Sequence, residues 1–273
     1  MLKTLLSFLL LAVAHTSLAA PTRVVSLGGG ITEIVYALGA GDTLVGNDLS
    51  SLYPAEATRL PRVGYYRDVS VEGVASLRPD LVLASDQAGP PAALDKLRAL
   101  GIPVQIVPDA PTLASLQARI EQVGAALERK PQAEALFAGI RRDLDALGAP
   151  PKDDAPRALS LMARGGTPLG AGQGTAANAM LELAGLRNVL ASQQGYKPVT
   201  AEALAATAPQ VIITTHMTEQ AQGGMAKLLA QPGIASTPAA RDKRVVVMDD
   251  LLYLSFGPRL PQAVAELRRA VAQ

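Results

Sequence analysis

The chain contains no cysteine and no tryptophan, and it has only two histidines and 3% aromatic residues. Without cysteine it folds without disulfides and offers no thiol nucleophile. Hydrophobic residues still make up 49% of the 273 residues, which is enough to bury a sizeable core. With so few large rings, that core consists of Leu, Val, Ile and Ala, a composition that suits helices packed on parallel strands.

Neither sign of charge dominates the chain. It has 25 Lys and Arg residues against 24 Asp and Glu residues, a formal net charge of +1, and no Lys- or Arg-rich run. Nucleic-acid-binding proteins normally carry a basic patch or stripe. We therefore expect no nucleic-acid partner.

Residues 1–19 have the pattern of a cleavable secretory signal peptide. Lys3 supplies the positive charge, residues 5–14 form an apolar run, and Ser17-Leu18-Ala19 is a small-x-small cleavage site. The apolar run is too short to anchor the chain across a bilayer. Because the cleavage site has no Cys for lipid attachment, we expect a freely diffusing periplasmic protein and not a lipoprotein.

Short apolar segments alternate with helical patterns in the first part of the chain, which predicts a parallel α/β sheet. A helix is expected at 92–100, with Gly101 after its end. Thr32 and Glu33 are expected in the first turn of another helix, where polar and acidic groups suit free N–H donors. The predicted strands cover residues 23–27, 44–46, 81–84 and 104–107.

A helical stretch separates this part from a second α/β region. The pattern is helical over 113–147, and Pro131 favours the start of a new helix at that point. The fold class is therefore predicted as α/β, with two similar Rossmann-like lobes containing parallel sheets, joined by one long rigid helix. The expected parts are an N-terminal lobe at 20–130, a connecting helix at 131–150 and a C-terminal lobe at 151–273.

An internal repeat supports the prediction of two lobes. Residues 69–85 align without gaps with residues 199–215, and each copy has a hydroxyl N-cap, a short helix, a turn with Pro and a buried strand. Glu72 and Glu202 fall in the first helical turn of their copies. Duplication of one lobe explains the match, although helix–strand units of α/β proteins also share this pattern by chance.

Residues typical of enzyme active sites are scarce. After the predicted leader there is one histidine, His216, and there is no G-x-S-x-G elbow, phosphate loop or His-rich cluster. The glycines at 28–30 and 170–174 suit a close approach of the backbone to a ligand or a neighbouring segment. His216 follows a predicted strand and is either a ligand or a structural residue. We therefore expect a protein that is not an enzyme.

The segment Val-Gly-Tyr-Tyr-Arg-Asp at 63–68 combines two adjacent tyrosines with an arginine. Neighbouring side chains of an extended chain point to opposite sides, so Tyr65 and Tyr66 cannot both be buried on one face. A phenolate oxygen suits ferric iron, and tyrosinate is an axial ligand of haem. Arg67 could donate to the phenolate and favour its ionised form. The alternative is a surface loop with ordinary tyrosines.

The chain resembles the haem-binding proteins of bacterial haem ABC importers over nearly its whole length after the leader. This resemblance implies a haem cleft between two lobes that are bridged by one rigid helix. The same frame belongs to the wider class of vitamin B12 and siderophore binding proteins, and the Gly-Tyr-x-Arg element favours haem. The matching segments are 32–39, 63–67, 70–73, 170–177, 195–198, 248–250 and 256–261.

The resemblance also implies roles for single residues. Tyr65 would be the axial ligand of ferric haem iron, and Arg67 would support its oxygen, with Tyr66 a poorer iron ligand beside them. Tyr196 and Lys197, in the matching Gly-Tyr-Lys-Pro segment, would be further residues of the haem site.

Two other features of the resemblance concern the C-terminal lobe and the importer. Some relatives carry a His after the first strand of that lobe, where this chain has Arg164. Arg164 could meet a haem propionate, donate to the phenolate or be a surface charge. Glu72 and Glu202 correspond to paired carboxylates, one per lobe, that dock on arginines of a dimeric permease. We expect a monomer that delivers haem to this permease and its ATPase.

Rival functions remain at this stage. A binder of cobalamin or a ferric siderophore with the same fold would use the same docking carboxylates but would not need Tyr65. An enzyme that relies on carboxylate or metal chemistry, and a pure interaction module, are less consistent with the residues present. The number of bound haems, the sixth iron ligand and a contact from Arg164 or His216 stay open.

Overall fold

The computed structural model describes residues 20–149, 155–164 and 167–272. The predicted leader at 1–19 lies outside these residues, and so does the side chain of Arg164. Within the described part of the chain, no helix has the length and apolar character needed to cross a membrane.

The N-terminal half is built on a parallel four-stranded sheet. Two further strands, β3 and β4, form a separate antiparallel hairpin. The strands are β1 (Val24–Leu27), β2 (Leu44–Asn47), β3 (Gly64–Tyr65), β4 (Asp68–Val69), β5 (Leu81–Ser85) and β6 (Val104–Val107), and the helices are α1 (Gly29–Ala37), α2 (Val71–Ser76), α3 (Pro91–Ala99) and α4 (Leu113–Ala126). The sheet order is β2-β1-β5-β6, which confirms all four predicted strands.

Helix α1 begins earlier than the sequence pattern predicts. Its first residue is Gly29, so Thr32 and Glu33 do not lie in the first turn, and both are buried. The expectation that they serve exposed N–H donors was wrong. The reason is a close approach of the chain: a Cβ on Gly29 would come within 2.3 Å of the Ser50 carbonyl oxygen and 2.6 Å of Leu251 Cδ1. Glycine there lets a helical turn form against its neighbours.

Helix α5 (Lys130–Ala146) follows α4 after a break of three residues, as Pro131 predicts. It packs both on α4 and on the last helix of the chain, α12 (Leu260–Ala272). Ala133, Phe137 and Ile140 form its buried stripe. The helix therefore lies between the two halves, while the boundaries 20–130, 131–150 and 151–273 stay a prediction.

The C-terminal half contains a mixed sheet in the order β10-β8-β7-β11-β12, with β9 paired to the start of β7. Strands β8 and β10 are antiparallel to their neighbours, which the sequence did not predict. The strands are β7 (Arg157–Arg164), β8 (Thr167–Ala171), β9 (Arg187–Asn188), β10 (Tyr196–Pro198), β11 (Val211–Thr215) and β12 (Val245–Met248). The remaining helices are α6 (Ala176–Ala184), α7 (Ala201–Thr207), α8 (His216–Ala221), α9 (Met225–Leu229), α10 (Pro238–Arg241) and α11 (Asp250–Leu254).

The two copies of the repeat fold alike. The Ser70 hydroxyl caps α2 by accepting from the Gly73 N–H at 3.0 Å, and the Thr200 hydroxyl caps α7 by accepting from the Ala203 N–H at 3.2 Å. Each helix leads into a fully buried strand, β5 or β11. Both strands have parallel neighbours on either side. The repeated segment thus supplies a central strand to each of the two lobes.

Candidate functional site

The carboxyl ends of the two parallel strand sets face each other. Gly29 is the second residue after β1, and a Cβ on it would meet Leu251, the third residue after β12. A Cβ on Gly30 would lie 3.4 Å from the carbonyl oxygen of Ser255. Ligands of open α/β sheets bind beyond the carboxyl ends of the strands. The candidate site therefore lies between the lobes, where the loops after the strands converge.

The hairpin β3–β4 presents Tyr65 and Arg67 on the N-terminal side of this cleft. Tyr65 pairs with Asp68 across the hairpin, and Tyr66 and Arg67 form its turn. The Tyr65 side chain is 37% exposed. Its phenol oxygen accepts a hydrogen bond of 2.9 Å from Arg67 Nη1. The structure thus brings together the two residues that the sequence singled out, and it leaves the phenol accessible.

Tyr66 has a different environment from Tyr65. Its ring meets the Tyr65 ring edge-on at a centroid distance of 4.8 Å, and the Arg67 guanidinium lies 4.6 Å from its centroid. Burial raises the pKa of Tyr66 far above the ordinary value of 10.0, and the neighbouring Tyr65 adds to this shift. Burial therefore favours the neutral form of the Tyr66 phenol.

Asp48, which the sequence analysis missed, holds the hairpin in place. Its carboxylate is fully buried and accepts from the backbone N–H groups of Gly28 at 3.0 Å, Ser50 at 2.9 Å and Tyr66 at 3.1 Å. It therefore ties the end of β1 and the loop after β2 to the tyrosine turn. The sequence did contain a sign of this role, because an Asp with nearby serines after a strand is typical of a turn in which the Asp side chain binds the backbone.

An ion pair between the buried Arg119 and the partly exposed Asp109 lies behind the hairpin. The carboxylate of Asp109, which follows β6, accepts from Arg119 Nη1 at 2.5 Å and from Ser85 Oγ at 2.9 Å. Burial raises the pKa of Asp109, whereas the charges of Arg119 and, more weakly, Arg67 oppose this shift. Arg119 also reaches the Ser255 and Phe256 carbonyl oxygens of the other lobe, at 3.5 Å each.

The burial of Arg119 in an ion pair could have been predicted from the sequence. It lies on the same face of α4 as the buried residues Leu116, Ile120 and Val123. An arginine in the middle of an apolar helical stripe needs a buried partner, because an unpaired charge is costly to bury.

On the C-terminal side, the predicted residues lie on separate elements. Tyr196 is half-buried and Lys197 is exposed on β10, the antiparallel edge of the sheet. His216 is exposed at the first position of α8, and its neighbour Met217 is 62% exposed. Arg164 ends β7, and its side chain lies outside the described part of the structure.

Glu72 and Glu202 occupy equivalent places in the two lobes. Both are exposed in the first turn of a short helix, α2 or α7. Hydrogen bonds from its own backbone N–H and from the Thr200 side chain lower the pKa of Glu202. The two lobes thus each present one carboxylate at the start of the repeated helix.

Comparison with known proteins identifies the family of the chain. A family model described as periplasmic binding protein matches residues 24–252. An uncharacterized ABC transporter substrate-binding lipoprotein of Bacillus subtilis is 32% identical over 92% of this chain and 80% of its own length. A vitamin B12-binding protein of Yersinia pestis is 31% identical over 97% of this chain and 91% of its own length.

The similarity extends to solved structures. The periplasmic haem-binding protein BhuT, solved in complex with two haems, superposes with a TM-score of 0.86 at 43% sequence identity, covering 92% of this chain and 97% of its own. These relatives bind ligands and are not enzymes, which confirms the expectation of a protein without catalytic activity. The chain belongs to the periplasmic binding protein family and is a two-lobed substrate-binding protein of an ABC transporter.

Proposed function

We propose that this protein captures ferric haem between its lobes and delivers it to an ABC importer in the inner membrane. The observation that carries the proposal is the Tyr65–Arg67 pair on the hairpin. An exposed phenol at the carboxyl edge of the sheet can reach the iron of a ligand held in the cleft. A tyrosine buried in the core could not.

Arg67 supports the Tyr65 phenol oxygen as a ligand. Its Nη1 donates to the Tyr65 oxygen and so orients that oxygen as a ligand for iron. The Arg67 guanidinium also lies over the Tyr66 ring, which fixes its direction. Tyr66 thus supports the pair, while Tyr65 makes the bond to iron.

The comparisons support haem over other cargo. A haem-binding relative of known structure is 43% identical to this chain, whereas the vitamin B12-binding relative is 31% identical. Cobalamin is therefore the second candidate cargo. Cobalamin brings axial ligands of its own on cobalt, whereas the iron of haem has open axial positions, so haem is the cargo that gains from a tyrosine ligand.

Other residues complete the proposal. We assign Lys197 on β10 and Arg164 at the end of β7 to the haem propionates, with Tyr196 beside Lys197. Glu72 and Glu202 dock the loaded monomer on the two halves of a permease dimer, one carboxylate per lobe. The ATPase of the importer, not this protein, supplies the energy for transport.

We also propose that the protein reaches the periplasm through the leader at 1–19 and is not lipid-anchored. A thioether-linked lipid requires a cysteine, and the sequence contains none. In this respect the protein differs from the lipoprotein relative of Bacillus subtilis.

A hemin titration followed by visible absorption tests the cargo. The wild-type protein is expected to show high-spin ferric bands, and Tyr65→Phe is expected to lose them. Tyr36→Phe serves as the matched control, because Tyr36 lies on α1 away from the hairpin. Saturable binding of cyanocobalamin with no Tyr65-dependent hemin spectrum would reject haem in favour of the second candidate.

A further inference from the structure

The hairpin that carries Tyr65 is too small to hold its own shape. Strands β3 and β4 have two residues each, and they form a sheet of only these two strands. A two-stranded hairpin on its own is at best marginally stable in water. The Tyr65 side chain is 37% exposed, so packing alone does not fix it. The direction of its phenol is therefore set by contacts that other segments make with the hairpin.

Two other segments hold the backbone of this hairpin. In the loop after β2, the Leu49 N–H donates to the Gly64 carbonyl oxygen at 2.8 Å, and the Asp48 carboxylate accepts from the Tyr66 N–H at 3.1 Å. After β5, the Gly89 N–H donates to the Tyr66 carbonyl oxygen at 2.9 Å. The Tyr66 N–H belongs to the peptide group that joins Tyr66 to Tyr65. The bond to Asp48 thus acts directly on the backbone of the candidate iron ligand.

The Asp48 carboxylate is itself oriented by its surroundings. One oxygen, Oδ2, accepts from the N–H groups of Ser50 and Tyr66. The other, Oδ1, accepts from the Gly28 N–H and from the hydroxyls of Ser50 and Ser51 at 3.0 and 3.1 Å. Because every one of these partners donates, and they approach both oxygens, the side chain is held in a single orientation.

A buried chain of hydroxyls anchors this carboxylate to the core of the lobe. The Ser51 hydroxyl lies 2.6 Å from the Thr32 hydroxyl, which in turn lies 2.7 Å from the Ser26 hydroxyl. Asp48, Ser51, Thr32 and Ser26 are all completely buried. Ser26 lies on β1 and Thr32 on α1, so the chain of hydroxyls starts from regular structure. Buried polar networks whose members all have partners are rigid.

We infer that Asp48 is a positioning residue for iron ligation, which aims the Tyr65 phenol at the cargo through the Tyr66 peptide group and touches no cargo itself. This inference rests on the proposed function and adds a supporting residue to its iron ligand. Removing a group that orients a metal ligand from behind typically costs about 10–100-fold in metal affinity. Since the Asp48 side chain is completely buried, its effect on haem has to pass through its neighbours.

A double-mutant cycle with Tyr65 tests this route. Asp48→Ala should weaken hemin binding at least about tenfold. At saturating hemin it should also reduce the high-spin ferric bands, because the phenol is no longer aimed at the iron. In the Tyr65→Phe background the same substitution should change hemin affinity by less than about twofold, since the ligand that it positions is already absent. A merely structural role would weaken hemin binding equally in both backgrounds.

Asp48→Asn is the conservative variant that should restore the function. Its amide oxygen can still accept from the Tyr66 N–H while its NH2 group donates to the hydroxyls on the other side, so only the bond from the Gly28 N–H is lost. Hemin affinity should stay within about threefold of the wild type. If Asp48→Ala does not fold, Ser51→Ala replaces it in the cycle. This change removes one donor from the carboxylate and should weaken hemin binding about threefold, but only when Tyr65 is present.

Leu181→Ala is the matched control for lowered stability. Leu181 is completely buried on α6 in the other lobe, so its truncation leaves a cavity in the core and does not touch the hairpin. We expect this variant to keep the hemin spectrum and affinity of the wild type while it unfolds at a lower urea concentration. Circular dichroism confirms that each variant is folded.

The possible results separate this inference from the proposed function. Wild-type hemin affinity and bands in folded Asp48→Ala, or in Ser51→Ala where it is the variant used, overturn the inference and leave the proposed function standing. An equal loss of affinity with and without Tyr65 overturns it as well, because Asp48 would then act on the cleft as a whole. Where Tyr65→Phe binds no hemin, the bands of the single variant at saturating hemin decide. If the wild type binds no hemin, the proposed function itself fails.

Discussion

Arg119 of the N-terminal lobe is completely buried, and its guanidinium binds the Asp109 carboxylate at 2.5 Å. The same guanidinium reaches two carbonyl oxygens of the segment at 255–256 in the C-terminal lobe. Since Asp109 also lies within electrostatic reach of Arg67, one ion pair connects the candidate site to the junction of the lobes.

Replacing Arg119 by Met should destabilise the protein by about 3 kcal/mol, because the mostly buried Asp109 carboxylate loses its partner. Urea unfolding monitored by circular dichroism measures this loss. Arg98→Met is the control, since Arg98 and Asp95 form an exposed pair on α3 that contributes at most about 1 kcal/mol. Equal effects of the two substitutions would contradict the structural role given to Arg119.

Asp80 should make stability depend on acid pH. Burial raises its pKa, but hydrogen bonds from the N–H groups of Thr22 and Arg23 and from the Thr22 hydroxyl together lower it below 3.8. A carboxylate with a lowered pKa in the folded state stabilises above the unfolded-state pKa, and that stabilisation disappears as pH falls through the folded-state pKa.

Asp80→Asn should therefore lower the free energy of unfolding near neutral pH, by no more than about 1 kcal/mol because the group is mostly exposed. The difference from the wild type should vanish below the folded-state pKa. Urea titrations at a series of pH values between 2 and 7 test this. A constant difference across the series would show that the hydrogen bonds do not depend on the charge of Asp80.

The two helix caps of the repeat, Ser70 and Thr200, should contribute equally to the stability of the protein. Ser70→Ala and Thr200→Ala each remove a hydroxyl that accepts from the N–H of the third following residue. Each change should cost about 1 kcal/mol of stability. Thermal unfolding of Ser76→Ala, which removes an exposed hydroxyl near the end of α2, gives the comparison and should change little. If only one of the two substitutions lowered the stability, the two caps would not be equivalent, contrary to this prediction.

Glu72 and Glu202 should matter for transport and not for cargo binding. We expect Glu72→Gln and Glu202→Gln to bind hemin like the wild type and to lower the ATPase stimulation of the cognate importer in proteoliposomes. The double variant should lower it most, because each lobe then lacks its carboxylate. Glu134→Gln, on the exposed side of α5, should stimulate normally. Full stimulation by the double variant would exclude the docking role.

Local patterns predicted much of this fold. A helix was expected at 92–100 with Gly101 after its end, and α3 covers Pro91–Ala99 with Gly101 at a φ of +79°. The contact between Tyr65 and Arg67 could be predicted because the two residues are only two positions apart in the sequence. In the structure they lie on the hairpin β3–β4 and form a hydrogen bond. Such features depend on a few consecutive residues, so periodicity and turn residues are sufficient to find them.

Features that depend on distant segments were not predicted. The antiparallel pairing of β10 with β8 joins strands separated by helix α6, and no local pattern encodes it. Glu33 was placed at an exposed helix start, whereas it is buried against Arg259, 226 positions away in the sequence. Buried charges of this kind become visible only when both partners are in place.

Helix α5 has a consequence for how the protein unfolds. Its residues Ala133, Phe137 and Ile140 belong to one hydrophobic core that includes Val24 from the first strand and Leu267 from the last helix. The two halves therefore share their largest hydrophobic cluster, while each half also has a smaller cluster of its own. Heating is expected to melt them in a single cooperative transition, and a gene fragment that encodes either half alone should yield an insoluble product.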